Sequence, residues 1–154
     1  MIYLDVCCFN RPFDDQSQDR IRLESEAVLT ILFGCEMGKW QMHGSEVIDF
    51  EVSLIPDAER KKRVSAFIVL ACDKIKLDNE IKLRARKLVE IGFKAYDALH
   101  LACAENGGAK VFLTTDDKLL NRAKRNSGAL KVKVENPVLW LMEVTNSEYT
   151  GNES

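Results

Sequence analysis

Three aspartates of this 154-residue sequence stand beside strongly apolar segments. Asp5 follows the apolar start "MIYL", Asp97 lies near the start of "AYDALHLACAE", and Asp116 comes just after "KVFLTT". A helix that is apolar on most sides is buried on most sides. A carboxylate in such surroundings is costly unless something pairs with it. The three acids are therefore candidates for a shared site.

A fourth acid, Glu51, lies in the segment "EVIDFEVSLI". Four converging carboxylates repel one another, so without a cation some of them would stay protonated. Oxygen ligands without histidine or cysteine suit Mg²⁺ or Mn²⁺. One or two such ions can activate water and stabilise an in-line displacement at phosphorus. The acids thus indicate metal-dependent chemistry on a phosphate ester.

The segments that must position these acids alternate between strand and helix patterns. Predicted strands are "MIYLDV", "WQMHGS", a stretch near residue 76, "VFLTT" and "KVKVENP". Between them we predict a polar loop "CCFNRPFDDQS", helices at about 19–38 and from 58 onwards, a helix ending at Gly92, and two helices carrying Asp97 and the segment after Asp116. The segment 46–55 is predicted as a short helix, with a strand as the alternative because of its Val and Ile content. This alternation predicts an α/β domain around a mostly parallel sheet. Ligands of such sheets gather outside the carboxyl ends of the strands, where Asp5 and Asp116 lie.

The composition narrows the functional classes. Hydrophobic residues make up 46% and charged residues 30% of the chain, and the net charge is −2 with a pI of about 5.8. These values suit one globular domain, without the global basic excess of many nucleic-acid-binding proteins. No apolar run approaches about 18 residues, so we expect no membrane span. The five cysteines form no C-x-x-C pair, which favours free thiols in a reducing cytoplasm.

Two other phosphate-handling classes are excluded by single positions. An Asp-x-Asp phosphotransferase motif after the first strand would need an acid at position 7, which is Cys7. A Cys-x5-Arg phosphatase motif is also missing, because Phe13 and Asp14 follow Cys7 and Cys8 at that spacing. No glycine-rich phosphate loop follows a strand.

The residues around the acids resemble the PIN domain family of VapC-type ribonucleases. "IYLD" is similar to the family's first strand and first acid, Asp5. "SEVIDFE" resembles the segment that opens with Ser45 and carries Glu51. "YDALHLACAENGGAKVFLTTDDKLL" resembles the most specific block of the family, which contains Asp97 and a strand ending in Thr-x-Asp, here Thr114 and Asp116.

The resemblance covers roughly residues 1–142 and implies a three-layer α/β/α domain, which leaves residues 143–154 as a polar tail that we expect to be disordered. It further implies a metal-dependent endoribonuclease that cleaves RNA, with a small antitoxin protein as a partner and a homodimer. In this interpretation Asp5, Asp97 and Asp116 hold Mg²⁺ or Mn²⁺. Glu51 orients water or completes the metal shell, and Thr114 supports the site.

One departure from the family concerns the two positions after Asp5. The family often has Thr followed by Ser or Asn there, whereas this sequence has Val6 and Cys7. Asn10 is a candidate to substitute for the missing polar group. Cys7 and Cys8 are expected to pack behind the site.

Further residues around the site have supporting interpretations. Asp117 is a candidate supporting acid, with solvent exposure as the simpler expectation. The candidates for contact with RNA phosphates are Arg11, Arg20 and Arg22, together with "ERKKR" at 59–63 and "RAKR" at 122–125.

Each of these residues also has a purely structural interpretation. Asp97 and Asp116 could be caps of their helices. Glu24 is expected to form a salt bridge at the edge of the site, and His100 is expected to be a packed core histidine. At the level of the whole protein, the alternatives are a non-catalytic PIN-like module that binds RNA or protein, and a toxin held inactive by an antitoxin.

Overall fold

The computed structural model describes the backbone of residues 1–153 and side chains as far as residue 149. Its five strands are β1 (Ile2–Leu4), β2 (His43–Ser45), β3 (Asp73–Ile75), β4 (Val111–Leu113) and β5 (Lys133–Glu135). Its α-helices are α1 (Val6–Asn10), α2 (Asp19–Glu36), α3 (Glu46–Ser53), α4 (Ala58–Ile68), α5 (Asn79–Ile91), α6 (Ala95–Asn106), α7 (Asp117–Arg125) and α8 (Pro137–Glu153). Short 3₁₀ turns cover Arg11–Phe13 and Ser127–Ala129. Strands and helices alternate as the sequence predicts.

All strand pairs of the described chain are parallel. β4 lies between β1 and β5, and β2 pairs with β3. The two groups meet where Ile2 bridges Met42 and the Ile2 amide donates to the Gln41 carbonyl at 2.8 Å. The order across the sheet is therefore β3, β2, β1, β4, β5. The chain order reverses at β1, and in open α/β sheets such a point is where ligands bind.

The two central strands form the middle of the core. Every residue of β1 and β4 is buried, and the rings of Tyr3 and Phe112 stack with their centroids 5.4 Å apart. Strands buried on both faces need helices on both sides of the sheet. The predicted three-layer α/β/α fold is confirmed.

Short polar residues begin several helices, as local sequence rules predict. Ser45, Asp57, Asp78 and Asp116 each accept a backbone N–H in the first turn of α3, α4, α5 and α7. Gly92 ends α5 with a φ of 123°, a conformation that side chains with a Cβ rarely adopt.

The predicted loop after β1 is wrong over its first half. Residues 6–10 form α1, and the backbone carbonyl of Asp5 accepts from the Cys8 amide at 2.9 Å. Cys8 and Phe9 are 0% and 1% exposed. Burial of these two side chains favours a helix in a segment whose Pro12 and polar residues suggested a loop.

The prediction for the C-terminus is also wrong. Pro137, the last residue of the predicted strand "KVKVENP", instead begins α8, a position that proline suits because its missing N–H would be unpaired there. α8 runs through the predicted boundary at residue 142, so residues 143–153 are helical rather than disordered. Glu148 of this segment pairs with Lys39 at 3.1 Å. The prediction for Ser154 lies outside the described residues.

No helix in the described part of the chain is long and apolar enough to cross a membrane.

Candidate active site

Thr114 connects the ends of the two central strands. Asp5 follows β1 and Thr114 follows β4, and the Asp5 amide donates to the Leu113 carbonyl at 2.9 Å. The Thr114 hydroxyl donates to Oδ2 of Asp5 at 2.8 Å and accepts from the Asp116 amide at 3.1 Å. This one side chain therefore sets the position of Asp5 relative to Asp116.

Asp97 is the third residue of α6, and its carboxyl group is partly buried. Burial, together with the nearby charges of Asp5 and Asp116, raises the pKa of Asp97 to about 6. The helix cap is Lys94, without a side-chain bond, so the interpretation of Asp97 as a cap is wrong. Asp97 instead lies within electrostatic reach of the other acids.

Asp5 is almost fully enclosed, with 7% of its surface exposed. Burial raises its pKa, and the charge of Glu51 adds to this, whereas His100 and the Thr114 hydrogen bond act in the opposite direction. Within the part of the chain that the structure describes, none of Asp5, Asp97 and Asp116 forms an ion pair. Three carboxylates thus stand near one another without a cationic side chain.

Glu51 lies in the same neighbourhood, since its charge raises the pKa of both Asp5 and Asp97. Oε1 of Glu51 contacts Nε2 of His100 at 2.8 Å. His100 is fully buried, as expected of a core histidine, but it is also a direct partner of a candidate site residue.

Asp116 is both a site candidate and a helix cap. Its Oδ1 accepts from the amides of Lys118 at 2.9 Å and Leu119 at 3.3 Å, at the start of α7. The structural interpretation of this residue is therefore correct. Its Oδ2 accepts no hydrogen bond from any residue that the structure describes, so one oxygen stays available to a ligand.

Cys7 lies beside Asp5 rather than behind the site. Its Sγ is 3.4 Å from Oδ2 of Asp5 and 3.4 Å from the Thr114 hydroxyl, and it accepts from the Thr115 amide at 3.4 Å. The expectation for Cys7 is thus wrong, while Cys8 is fully buried and donates to the Leu113 carbonyl. The thiol of Cys7 stands where the missing polar group was expected.

Asn10, the predicted substitute for that group, faces elsewhere. Its Nδ2 donates to the Val6 carbonyl at 3.2 Å, and its Oδ1 accepts from Arg60 at 3.5 Å. Among the described residues it contacts none of the four acids. Asn10 is the last residue of α1, and this helix directs its side chain to Arg60 rather than to the acids. A predicted loop gives no such direction.

Two predicted RNA contacts are held by acids instead. Glu24 is 1% exposed and binds Arg11 at 2.7 Å and Arg20 at 3.4 Å, so its expected salt bridge is present. Arg20 also makes a two-point contact with Asp117 at 2.5 and 2.6 Å. Asp117 is 59% exposed at its side chain and acts on Arg20 rather than on the four acids.

Three other basic residues bear on the prediction of RNA contacts. Arg22 is paired with Asp19 at 2.8 Å. Lys94 precedes the first turn of α6, and Lys118 lies in the first turn of α7. Neither forms an ion pair with another described residue. Sequence analysis missed these two lysines, although each stands within three positions of Asp97 or Asp116.

The structure agrees with the predicted metal site in the type of ligand but not in its arrangement. Across the described residues, no three His, Cys, Asp or Glu side chains are arranged to hold an ion. The donor set is nevertheless suitable, because carboxylates without ion pairs are the ligands that Mg²⁺ and Mn²⁺ prefer.

Comparison with known families decides the membership of this chain. The sequence model of the PIN domain matches residues 2–125. The chain belongs to the PIN domain family. PIN domains are generally nucleases and generally use divalent metal ions.

This PIN domain is also similar to solved structures. One is a crystal structure of VapBC2 from Rickettsia felis bound to a DNA fragment from their promoter. The likeness has a TM-score of 0.54 and 17% identity, and it covers 88% of this chain and 98% of that chain. At this identity the likeness concerns the fold alone. No curated protein matches this PIN domain.

Proposed function

We propose that this PIN domain is an endoribonuclease that hydrolyses RNA phosphodiester bonds with Mg²⁺ or Mn²⁺. The observation that carries the proposal is that three acids of a PIN domain, Asp5, Asp97 and Asp116, lie within electrostatic reach of one another while none forms an ion pair with a described residue. Acids held together without cationic partners cost stability, and such an arrangement is typical of functional sites.

The four acids have two roles in this proposal, metal binding and orientation of the attacking water. Asp5, Asp97 and Asp116 would hold the ion, and Thr114 keeps Asp5 and Asp116 in place. When bound, the ion lowers the pKa of water and offsets the charge that develops on the phosphate. Glu51 has one oxygen bonded to His100, and the other is free to orient the attacking water and accept its proton.

RNA binding would depend on local basic residues, since the net charge of the chain is −2. Lys94 and Lys118 are candidates, because they lie within three positions of Asp97 and Asp116 in the sequence and form no ion pair with another described residue. Arg11 and Arg20 would have to leave Glu24 to bind a phosphate. Binding should weaken as salt rises, because phosphate contacts release counterions.

The proposal extends to the toxin of a toxin–antitoxin pair. It is supported by the fold likeness to VapBC2 and by an apolar groove between α2 and the end of α4, lined by Leu29, Phe33, Phe67 and Leu70. Leu29 and Phe33 are 44% and 62% exposed, and such a groove suits an amphipathic helix of an antitoxin. Induced expression should arrest growth, and Asp5→Asn should remove the arrest.

A homodimer is part of the same proposal. Light scattering during gel filtration should give twice the 17.5 kDa mass of one chain. A single-chain mass at concentrations of about 100 μM would exclude it.

The decisive experiment measures RNA cleavage by the purified protein. Cleavage should require Mn²⁺ or Mg²⁺, stop in EDTA, and disappear in the double variant Asp5→Asn with Asp116→Asn. Asparagine still caps a helix, so α7 should persist in this variant. Asp49→Asn is the matched control, because Asp49 pairs with Lys74 rather than with the four acids. Cleavage in excess EDTA, or by the double variant, would contradict the proposal.

A second candidate is a non-catalytic module that binds RNA or a protein. It is favoured by the lack of a preformed three-ligand cluster within the described residues and by the capping role of Asp116. Calorimetry of Mn²⁺ binding, combined with the cleavage assay, separates the two functions. A protein that binds Mn²⁺ but cleaves none of a varied set of RNAs would be the non-catalytic module.

A further inference from the structure

A chain of buried hydrogen bonds ends on Glu51. The Tyr3 hydroxyl lies 2.8 Å from the Ser45 hydroxyl and 2.6 Å from Nδ1 of His100. Nε2 of His100 then lies 2.8 Å from Oε1 of Glu51. Tyr3, Ser45 and His100 are each 0% exposed. The chain thus joins β1, the start of α3 and α6 to one carboxylate of the candidate site.

The hydrogen bonds of Ser45 determine which group in this chain donates and which accepts. The Ser45 hydroxyl oxygen accepts from the Ile48 amide at 3.0 Å, so its own hydrogen is left to donate to Tyr3. The Tyr3 hydroxyl then donates to Nδ1 of His100, which must be unprotonated to accept. A neutral His100 therefore carries its hydrogen on Nε2 and donates it to Glu51.

The reverse direction leaves groups unpaired. The buried Ser45 hydroxyl hydrogen would have no acceptor among the described residues, which costs free energy. A neutral His100 with its hydrogen on Nδ1 would also turn a lone pair towards the Glu51 carboxylate. Protonation on both nitrogens would leave the hydroxyl hydrogen of either Ser45 or Tyr3 without an acceptor among the described residues.

We propose that His100 is a positioning residue that holds Glu51 through its Nε2 hydrogen, and that Tyr3 and Ser45 select this tautomer. The consequence for catalysis rests on the proposed nuclease function, since Glu51 is the residue assigned there to the attacking water. With Oε1 of Glu51 bonded to His100, the position of Oε2 is fixed as well, and Oε2 is the oxygen that would contact that water. Partners that orient a catalytic group in this way commonly contribute 10- to 100-fold.

The tautomer can be measured without any activity. Long-range ¹H–¹⁵N correlation spectra of the metal-free protein at pH 7 should show His100 protonated on Nε2 alone. His43 is an internal reference of opposite kind, because its Nδ1 contacts the Asp73 carboxylate at 2.8 Å while its Nε2 has no hydrogen-bond partner in the described chain. The variant His43→Gln assigns the two sets of signals. A hydrogen on Nδ1 of His100 would overturn the proposal.

Two substitutions then separate positioning from simple packing. His100→Gln places an amide nitrogen near the site of Nε2 and keeps the donor to Glu51. His100→Asn reaches only as far as Nδ1 and keeps the contact to Tyr3. We expect kcat to fall about 10- to 100-fold in His100→Asn, with KM for RNA nearly unchanged, and much less in His100→Gln.

Thermal unfolding of both variants corrects kcat for the folded fraction. Equal corrected losses in the two variants would show that His100 acts through packing and would overturn the proposal. If the wild-type protein cleaves no RNA, the proposed function fails on its own, and the tautomer spectrum alone decides whether His100 holds Glu51 as stated.

Discussion

Two regions of this domain bury carboxylates in opposite ways. Glu24 is 1% exposed, but it accepts from Arg11, Arg20 and the Asn136 amide, the last at 2.6 Å. Asp97 has no cationic side chain bonded to it within the described residues, and its pKa is raised to about 6. The first arrangement uses its charge to hold helices together, whereas the second keeps its charge unpaired and can accept an external cation.

The largest effect should come from removing Glu24. In Glu24→Ala, Arg11, Arg20 and Asn136 lose a hydrogen-bond partner, and each such bond to a charged group contributes about 1.5 to 3 kcal/mol. Because Arg11 keeps Asp14 and Arg20 keeps Asp117, we expect the free energy of unfolding to fall by about 3 kcal/mol in all. Urea unfolding measures this. Glu26→Ala, an exposed position on the same helix, is the control and should change stability by about 0.5 kcal/mol or less. If Glu24→Ala lowers the free energy of unfolding no more than the control does, Glu24 does not stabilise the fold and does not differ from Asp97 in this respect.

The next effect tests the unpaired acids with metal. An ion that binds only the folded protein stabilises it by about 2.7 kcal/mol at 100 times its Kd. Mn²⁺ should therefore raise the Tm of the wild type, and it should do so far less in Asp97→Asn. Asp49→Asn should keep the full response. An unchanged response in Asp97→Asn would remove this residue from the metal site.

A smaller effect concerns Asp97 in the absence of metal. Because its folded pKa of about 6 exceeds the ordinary value of 3.8 for this side chain, its contribution to stability is fully present below about pH 3.8 and is lost as pH rises through 6. At pH 7, Asp97→Asn in EDTA should then be more stable than the wild type by about 1 kcal/mol, since the carboxyl group is partly solvated.

The difference should shrink as the pH falls from 7 towards 4, where the wild-type carboxyl group is neutral as well. Denaturant unfolding at both pH values measures it. Asp19→Asn, an exposed acid in the first turn of α2, should show no stabilisation. Clear destabilisation by Asp97→Asn would mean that the carboxylate has a structural role after all.

The smallest effect lies at the surface between the two regions. Arg20 lowers the pKa of Asp117, so this pair stabilises the fold at pH values above the unfolded pKa of the acid. Both side chains are more than half exposed, and such pairs contribute little and are screened by salt. Asp117→Asn should lower the Tm slightly at low salt and leave it unchanged at about 1 M NaCl. If the Tm falls equally at low and high salt, Asp117 behaves like a buried acid rather than an exposed one.

The placement of the acids in the chain could be read from local patterns. Asp5 and Asp116 follow apolar strands, and parallel strands end at one edge of a sheet, so the proximity of these two positions followed from the alternation of strands and helices. Thr114 was recognised through the resemblance to the PIN domain family, whose corresponding strand ends in Thr-x-Asp. Helix starts with short polar residues, such as Ser45, were equally local signals.

Local patterns failed where burial overrides them. The polar and proline-containing segment after Asp5 forms α1 because Cys8 and Phe9 reach the core. The polar C-terminal segment is helical as part of α8, where Glu148 reaches Lys39 across 109 positions of the sequence. Helices of this kind owe most of their stability to tertiary packing, which composition does not show.

The sequence alone determined the alternation of strands and helices and the order of most elements, because these depend on periodicity and on spacing along the chain. It also singled out the four acids as candidates, while the three layers were expected from the resemblance to the PIN domain family. Only the tertiary structure decided what each polar side chain faces. Cys7 turns to Asp5, and His100 contacts Tyr3 and Glu51 although 97 and 49 positions separate them. Such contacts arise when α3, α6 and β1 pack together, and a partner selected by packing leaves no periodic signal in the sequence.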